Sequence, residues 1–146
     1  MDSIESMFKE LTEAPGVSGS EAPVRALVRR YLDGLTNQIE QDGLGSVIAR
    51  LPGGEDRPRI MLAGHMDEVG FIVRYITDNG FIRFLPIGGW WNQVLIAQQV
   101  YIQTHEGSVL GVIGAKSPRW MKEDEKNRVV DKEAMYIDVG ASSKAE

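Results

Sequence analysis

His65 and Asp67 are the side chains whose types and spacing suggest chemistry most directly. They follow a short apolar run at 60–63, where a buried strand is expected to end, and strand ends are where open α/β sheets place ligand-binding groups. Two residues apart in an extended segment, their side chains point to the same side. An imidazole that binds a metal through one nitrogen usually donates its other N–H to a carboxylate. A His-x-Asp pair can supply both groups.

The competing interpretation is a turn histidine that only hydrogen-bonds a neighbouring aspartate, and spacing alone does not separate the two. One imidazole also cannot hold zinc tightly, because catalytic zinc sites normally use three protein ligands. His105, the other histidine, is expected to be a solvated residue of a hairpin turn. The chain has no cysteine, so any metal is held by imidazole and carboxylate, which suits zinc, cobalt or manganese.

Two other patterns could indicate a carbohydrate-active protein. Asp67 and Glu68 are paired acids, but adjacent strand residues point to opposite faces, whereas a glycosidase needs both carboxylates to flank one bond. Trp90 and Trp91 follow two glycines and could form a sugar platform. Packing within a small barrel, or a subunit contact, is the interpretation we favour for this aromatic pair.

Composition excludes several classes of partner. The 146 residues are 42% hydrophobic and carry a net charge of −5, which fits a globular protein and gives no basic field for nucleic acid or anionic lipid. No apolar run approaches the roughly 20 residues of a membrane helix, and residues 1–8 do not resemble a signal peptide. We therefore expect no nucleic-acid partner, no membrane association and a cytoplasmic location.

The elements expected before residue 70 are mainly helical. Helical spacing predicts a first helix from Ile4, capped by Asp2 and stopped at 14–16, and a second helix capped by Ser20 and ending near Gly34. The second helix should bury a stripe made of Val24, Leu27, Val28, Tyr31, Leu32 and Leu35. A hairpin of 38–41 and 46–51 turns at Asp42-Gly43, where both positions tolerate positive φ, and 60–63 reads as a strand covered on both faces.

From residue 70 onward the pattern changes to short strands separated by turn residues. A charged segment at 116–131 is expected to be an exposed loop or short helix. Hairpins at this spacing predict a small antiparallel barrel. The strands are expected at 70–76, 81–86, 99–104, 109–113 and 134–139.

Longer motifs extend over nearly the whole chain, and with them the sequence resembles the glutamyl/deblocking aminopeptidases, also called tetrahedral aminopeptidases, some of which are described as endoglucanases. The matching residues are Gly16-Val17-Ser18-Gly19 with Glu21, Asp42 with Leu44-Gly45-Ser46, 63–70 (AGHMDEVG), 80–84 (GFIRF), 87–90 (IGGW), 111–114 (GVIG) and 137–141 (IDVGA).

The resemblance implies an α/β fold: residues 1–69 are the N-terminal part of a metallo-exopeptidase α/β sandwich, and 70–146 are part of an inserted small antiparallel β-barrel domain. It implies two divalent metal ions, with His65 as a metal ligand and Asp67 as the catalytic-site aspartate that orients it. The substrate would be the N-terminal peptide bond of short peptides. The insertion would pair subunits into dimers and then into a dodecamer.

The resemblance implies that the remaining ligands and the general base lie in an Asp-Asn-Arg motif, a Glu-Glu pair, a further acid ligand and a second metal-binding histidine, and none of these has a match in these 146 residues. We therefore expect at most one weak metal site here and no activity from this chain alone. The first hypothesis is the leading piece of a metal-dependent aminopeptidase. The alternative is a non-catalytic assembly module, and an endoglucanase-type hydrolase is a third, weaker one.

Overall fold

The computed structural model describes residues 3–54 and 57–146, and the chain divides into two compact units, Met1–Glu68 and Val69–Glu146. We call them the N-terminal unit and the sheet unit. Their assignment to a catalytic domain and an inserted domain stays a prediction. In the described part of the chain, none of the helices has the length and apolar character needed to cross a bilayer.

Two helices open the N-terminal unit. Helix α1, Ile4–Glu13, begins at Ser3, whose Oγ accepts a hydrogen bond from the Ser6 N–H at 3.1 Å. Asp2, the cap expected from the sequence, lies outside the described residues. Helix α1 ends before Pro15, as predicted.

Helix α2, Ala22–Asp33, ends at Gly34 as predicted, but its predicted cap was wrong. The residue before the helix is Glu21, which makes no side-chain cap hydrogen bond, and Ser20 instead ends a tight turn in which its N–H donates to Val17 O. Of the expected stripe, Val24 is buried and Leu35 is 63% exposed. The other members are half-buried: Leu27, Val28, Tyr31 and Leu32.

The predicted hairpin is present as β1, Ile39–Gln41, paired antiparallel with β2, Val47–Ala49. Its loop is longer than the two-residue turn that we expected. The Asp42 carboxylate accepts hydrogen bonds from the N–H groups of Leu44 and Ser46 at 2.9 and 2.8 Å, and the positive φ falls on Gly45 at 96°. The side chain of Asp42 therefore organises the loop, a local substitute for backbone pairing.

The prediction of a buried strand at 60–63 was wrong. These residues form no strand, and Ile60, Met61 and Leu62 are 82–95% exposed. A strand of this type needs hydrogen-bonded neighbours and an apolar layer on each face. Among the described residues of this unit, the nearest pairing is an isolated bridge between Val17 and Glu68, beyond the apolar run. His65 and Asp67 consequently lie in a segment that belongs to no strand.

The sheet unit follows the sequence-based prediction closely. Its five strands form one antiparallel sheet in the order β3-β4-β7-β6-β5. The segment at 116–131 contains only short helical turns, among them α3, Glu123–Lys126. Because β3 and β5 are edges of this sheet, the unit is a half-barrel, and the predicted mixed α/β class with part of an antiparallel barrel is confirmed. The strands are β3 Gly70–Ile76, β4 Ile82–Ile87, β5 Gln99–Thr104, β6 Gly107–Gly114 and β7 Tyr136–Asp138.

One face of this sheet carries its core. Gly111 on β6 is required there, because an added Cβ would lie 2.4 Å from Ile137 Cγ2. Along the strands, apolar side chains alternate between the two faces of the sheet, and those on the covered face stabilise the unit because they are buried. The buried cluster consists of Ile82, Phe84, Leu95, Ile113, Met135 and Ile137.

We predict that Ile113→Ala destabilises the sheet unit by about 2–5 kcal/mol, because Ile113 is only 1% exposed and its loss leaves a cavity. Val109→Ala is the matched control, since Val109 is on the same strand and 42% exposed, and should cost about 1 kcal/mol or less. All three tryptophans lie in this unit, so urea unfolding followed by tryptophan fluorescence measures the difference. Equal costs for the two variants would contradict this assignment of the core.

Candidate functional site

The His65 ring is oriented by Asp67. Its Nδ1 lies 3.0 Å from Asp67 Oδ1 and 3.1 Å from the Asp67 backbone oxygen. An ionised carboxylate and a carbonyl can only accept hydrogen bonds, so Nδ1 carries the proton and Nε2 keeps its lone pair. The His65 side chain is 84% exposed, and Nε2 is therefore accessible. The structure brings together the two residues that the sequence singled out, and their roles as a metal ligand and its support stay a prediction.

Ser18 is the partner that the sequence analysis missed. Its Oγ donates to Asp67 Oδ2 at 2.5 Å, so each carboxylate oxygen of Asp67 has one side-chain partner. The contact joins residues 49 positions apart, and local spacing gives no signal for it. The one signal in the sequence was the motif Gly16-Val17-Ser18-Gly19, which had marked a loop and a resemblance, without a role for the serine.

The electrostatics of Asp67 follow from these contacts. The Ser18 hydroxyl holds the pKa of the Asp67 carboxyl below its usual range, and the His65 imidazole adds to this, although desolvation of the carboxyl raises the pKa in part. Asp67 is therefore ionised at neutral pH, as an acceptor of two hydrogen bonds must be.

Glu68 points to a different partner. Its Oε1 accepts from the Gly16 N–H at 2.9 Å, and its own N–H donates to Gly16 O at 2.8 Å. Asp67 and Glu68 thus hold separate atoms of the loop at 16–19. This agrees with the rejection of the two acids as a glycosidase pair, because their carboxylates do not converge on one site.

An open polar depression of about 230 Å³ adjoins the His65 ring. In its wall, Arg25 Nη1 donates to Gly45 O at 2.9 Å. The carboxylate of Glu21 accepts from the Gly19 N–H at 2.6 Å, and this backbone hydrogen bond is the main cause that lowers the pKa of Glu21. Side chains of His65, Asp67, Glu21, Arg25 and Ser46 line the depression.

These residues fit one ligand of a metal site and its support. Within 3–54 and 57–146, His, Asp and Glu side chains form no group of three or more that could hold an ion. Nε2 of His65 is a suitable donor for zinc, cobalt or manganese. His105 is exposed between β5 and β6, in the hairpin turn expected for it, and belongs to the sheet unit.

The tryptophan pair divides into two roles. Trp90 packs into the sheet unit, stacked on Phe71 with ring centroids 5.1 Å apart, and its Nε1 donates to Gly70 O at 3.2 Å. Trp91 is 76% exposed. Packing explains Trp90, whereas Trp91 presents a large apolar side chain to solvent.

Comparison with known protein families agrees with this fold. The family model described as M42 glutamyl aminopeptidase matches residues 45–146, and a model named AMPT matches residues 2–27. The first match covers well over half of the chain. The chain therefore belongs to the M42 glutamyl aminopeptidase family.

Named relatives and solved structures are consistent with that assignment. The lysyl aminopeptidase of Pyrococcus furiosus is 37% identical over 96% of this chain and 40% of its own length. The structure of a TET aminopeptidase from a marine-sediment Thaumarchaeota archaeon is 43% identical, with a TM-score of 0.89 over 97% of this chain and 40% of that one. The chain thus spans about two fifths of the length of the relatives that it matches.

Two further kinds of structure are similar. PhTET1-12s, described as a dodecamer, is 34% identical, with a TM-score of 0.83 over 99% of this chain and 42% of that chain. An endoglucanase of Thermotoga maritima is 34% identical, with a TM-score of 0.78 over 94% of this chain and 39% of that chain. The resemblance noted from the motifs, including its endoglucanase-named members, is confirmed.

We predict that Asp67 contributes stability to the N-terminal unit only while it is ionised. A pKa lowered by folding gives stability that is present above the pKa of the unfolded chain and is lost as the pH falls through the folded value. The stability difference between wild type and Asp67→Asn should therefore shrink below about pH 5. Amide hydrogen exchange of the loop at 16–19, measured across this range, tests the sign. A difference that stays constant or grows on acidification would contradict it.

Proposed function

We propose that this chain is part of a metal-dependent aminopeptidase, in which His65 binds one of two divalent metal ions through Nε2 and Asp67 orients the ring. The observation that carries this proposal is the hydrogen bond between His65 Nδ1 and Asp67 Oδ1, which leaves Nε2 exposed. Membership of the M42 family supports the reaction class, because named relatives are aminopeptidases.

The chain's own residues would contribute one ligand and its electrostatic support. When bound, the metal ions would supply an activated water and a Lewis acid for the carbonyl of an N-terminal peptide bond. Asp67 keeps the proton of His65 on Nδ1, and its negative charge raises the basicity of the ligating nitrogen. The depression beside His65 is polar and open, which suits a peptide terminus. The remaining ligands and the general base are proposed to lie outside these 146 residues.

The test is a complementation assay. Wild-type chain is mixed with the C-terminal region of the Pyrococcus furiosus lysyl aminopeptidase that follows the matched segment, together with Zn²⁺ or Co²⁺. We expect release of N-terminal residues from short peptides only when both pieces and a metal are present. Loss of a residue that only supports a metal ligand lowers activity roughly 10–100-fold. His65→Ala removes the ligand itself and should lower this activity further.

His105→Ala is the control for that assay, because it removes the other imidazole at an exposed turn of the sheet unit and should leave the activity unchanged. If His65→Ala and His105→Ala behave alike in an active mixture, His65 is not a metal ligand and the proposal fails.

A second function rests on the sheet unit. We infer that this unit also mediates association between copies of the chain, as suggested by the exposed Trp91 and by a dodecameric relative. Peptidase activity and assembly are compatible, so this is an additional role of the same protein.

We predict that Trp91→Ala shifts the chain toward monomer, because removal of an exposed indole takes away apolar area that a partner would cover. Trp120→Ala is a matched control, since Trp120 is 75% exposed in the same unit. Multi-angle light scattering over a concentration series gives the mass. A monomer at every concentration, or equal effects of the two variants, would argue against a contact at Trp91.

A further inference from the structure

We propose that Ser18 is a positioning residue for His65: its hydroxyl fixes the Asp67 carboxylate so that His65 presents Nε2 outward. This inference rests on the proposed function, in which Nε2 is the ligating atom. Its basis is a relay of two hydrogen bonds, from Ser18 Oγ to Asp67 Oδ2 and from His65 Nδ1 to Asp67 Oδ1.

The His65 ring has little else to hold it. Its side chain is 84% exposed, so packing does not restrict its rotation. Among the described residues, its hydrogen bonds all go to Asp67. An exposed ring that is free to rotate loses entropy when it binds a metal, and a fixed partner removes part of that cost in advance. The orientation of the ligand therefore depends on the orientation of the Asp67 carboxylate.

The Asp67 carboxylate in turn is fixed from both ends. If His65 were the only side chain bonded to the carboxylate, through Oδ1, the carboxylate could rotate about its Cβ–Cγ bond and the imidazole could move with it. Ser18 on Oδ2 prevents this, because a second hydrogen bond from a separate segment defines the plane of the carboxylate. The short 2.5 Å contact is of the kind made by a hydroxyl to an ionised carboxylate.

Ser18 can act in this way because its own backbone is held in place. Two hydrogen bonds join Gly16 to Glu68, and Val17 makes the bridge to the same residue. On the other side, the Ser20 N–H donates to Val17 O, and Gly19 adopts a φ of 88° that closes the turn. Ser18 thus lies at the tip of a turn that is attached to the segment carrying His65.

The alternative is that Ser18 has only a structural role and holds the loop at 16–19 against the segment at 65–68. In that case its removal would lower stability but leave the state of the His65 ring unchanged. The tautomer of His65 separates the two roles, because Asp67 selects the form with the proton on Nδ1. Its measurement needs neither metal nor activity.

The experiment is long-range ¹H–¹⁵N NMR of the imidazoles in the metal-free 146-residue chain, at a pH where both histidines are neutral. We expect wild-type His65 to be predominantly protonated on Nδ1, and Ser18→Ala to shift it toward the Nε2–H form. Ser18→Thr should keep the wild-type tautomer, whereas Ser18→Val, of similar size but without a hydroxyl, should behave like alanine. The signals of His105 are the internal reference and should not change.

A Zn²⁺ titration of the same samples then tests the consequence. The shifts of the His65 signals during the titration give an apparent Zn²⁺ affinity. Loss of the Ser18 hydroxyl should lower this affinity about tenfold, the lower end of the cost of losing a residue that supports a ligand. If Ser18→Ala perturbs folding in the amide spectrum, the comparison of threonine with valine decides. A wild-type tautomer in the valine variant overturns the proposal.

The two proposals fail in different ways. If Zn²⁺ never shifts the His65 signals of the wild-type chain, the metal-binding function fails, whatever the tautomers show. It also fails if the shifts that Zn²⁺ causes in other signals are the same in a His65→Ala variant. If Zn²⁺ binds at His65 but Ser18→Val neither changes the tautomer nor weakens binding, the function stands and the positioning role of Ser18 is wrong.

Discussion

The hydrogen bond between His65 Nδ1 and Asp67 Oδ1 is the interaction on which the proposed chemistry of this chain depends. It decides which nitrogen of an exposed imidazole carries the proton, and thereby which nitrogen can meet a metal ion. Other contacts of the N-terminal unit converge on it. Glu68 holds the loop at Gly16, the loop presents Ser18, and Ser18 fixes the second oxygen of Asp67.

This arrangement also explains how a chain of the M42 glutamyl aminopeptidase family can form the proposed ligand and its support, although its described residues hold no group of three possible ligands. The ligand and its support are local, within three residues and one neighbouring loop, so they form without the rest of the relatives' length. The apolar run at 60–62 behaves differently, because a doubly covered strand requires elements that the described residues do not supply.

Sequence patterns predicted those parts of the structure that depend on local rules. Strands β3 to β6 and their turns follow from alternation and glycine positions, and the contact between His65 and Asp67 was expected from their spacing. The failures arose where a distant or competing partner decides. Ser20 belongs to the turn closed by its N–H on Val17 O, so α2 begins one residue later than expected, and the Asp42 side chain organises a longer loop in place of the expected two-residue turn. Ser18 could not be found from spacing, since its partner is 49 residues away.

The central claim, that Nε2 of His65 is a metal ligand oriented by Asp67, is tested most directly by anomalous diffraction at the zinc edge from crystals of the chain grown with Zn²⁺. The account predicts an anomalous peak about 2.0–2.1 Å from Nε2, with Nδ1 still hydrogen-bonded to Asp67. A peak at Nδ1 with the Asp67 contact broken, or zinc bound only at His105, would contradict it.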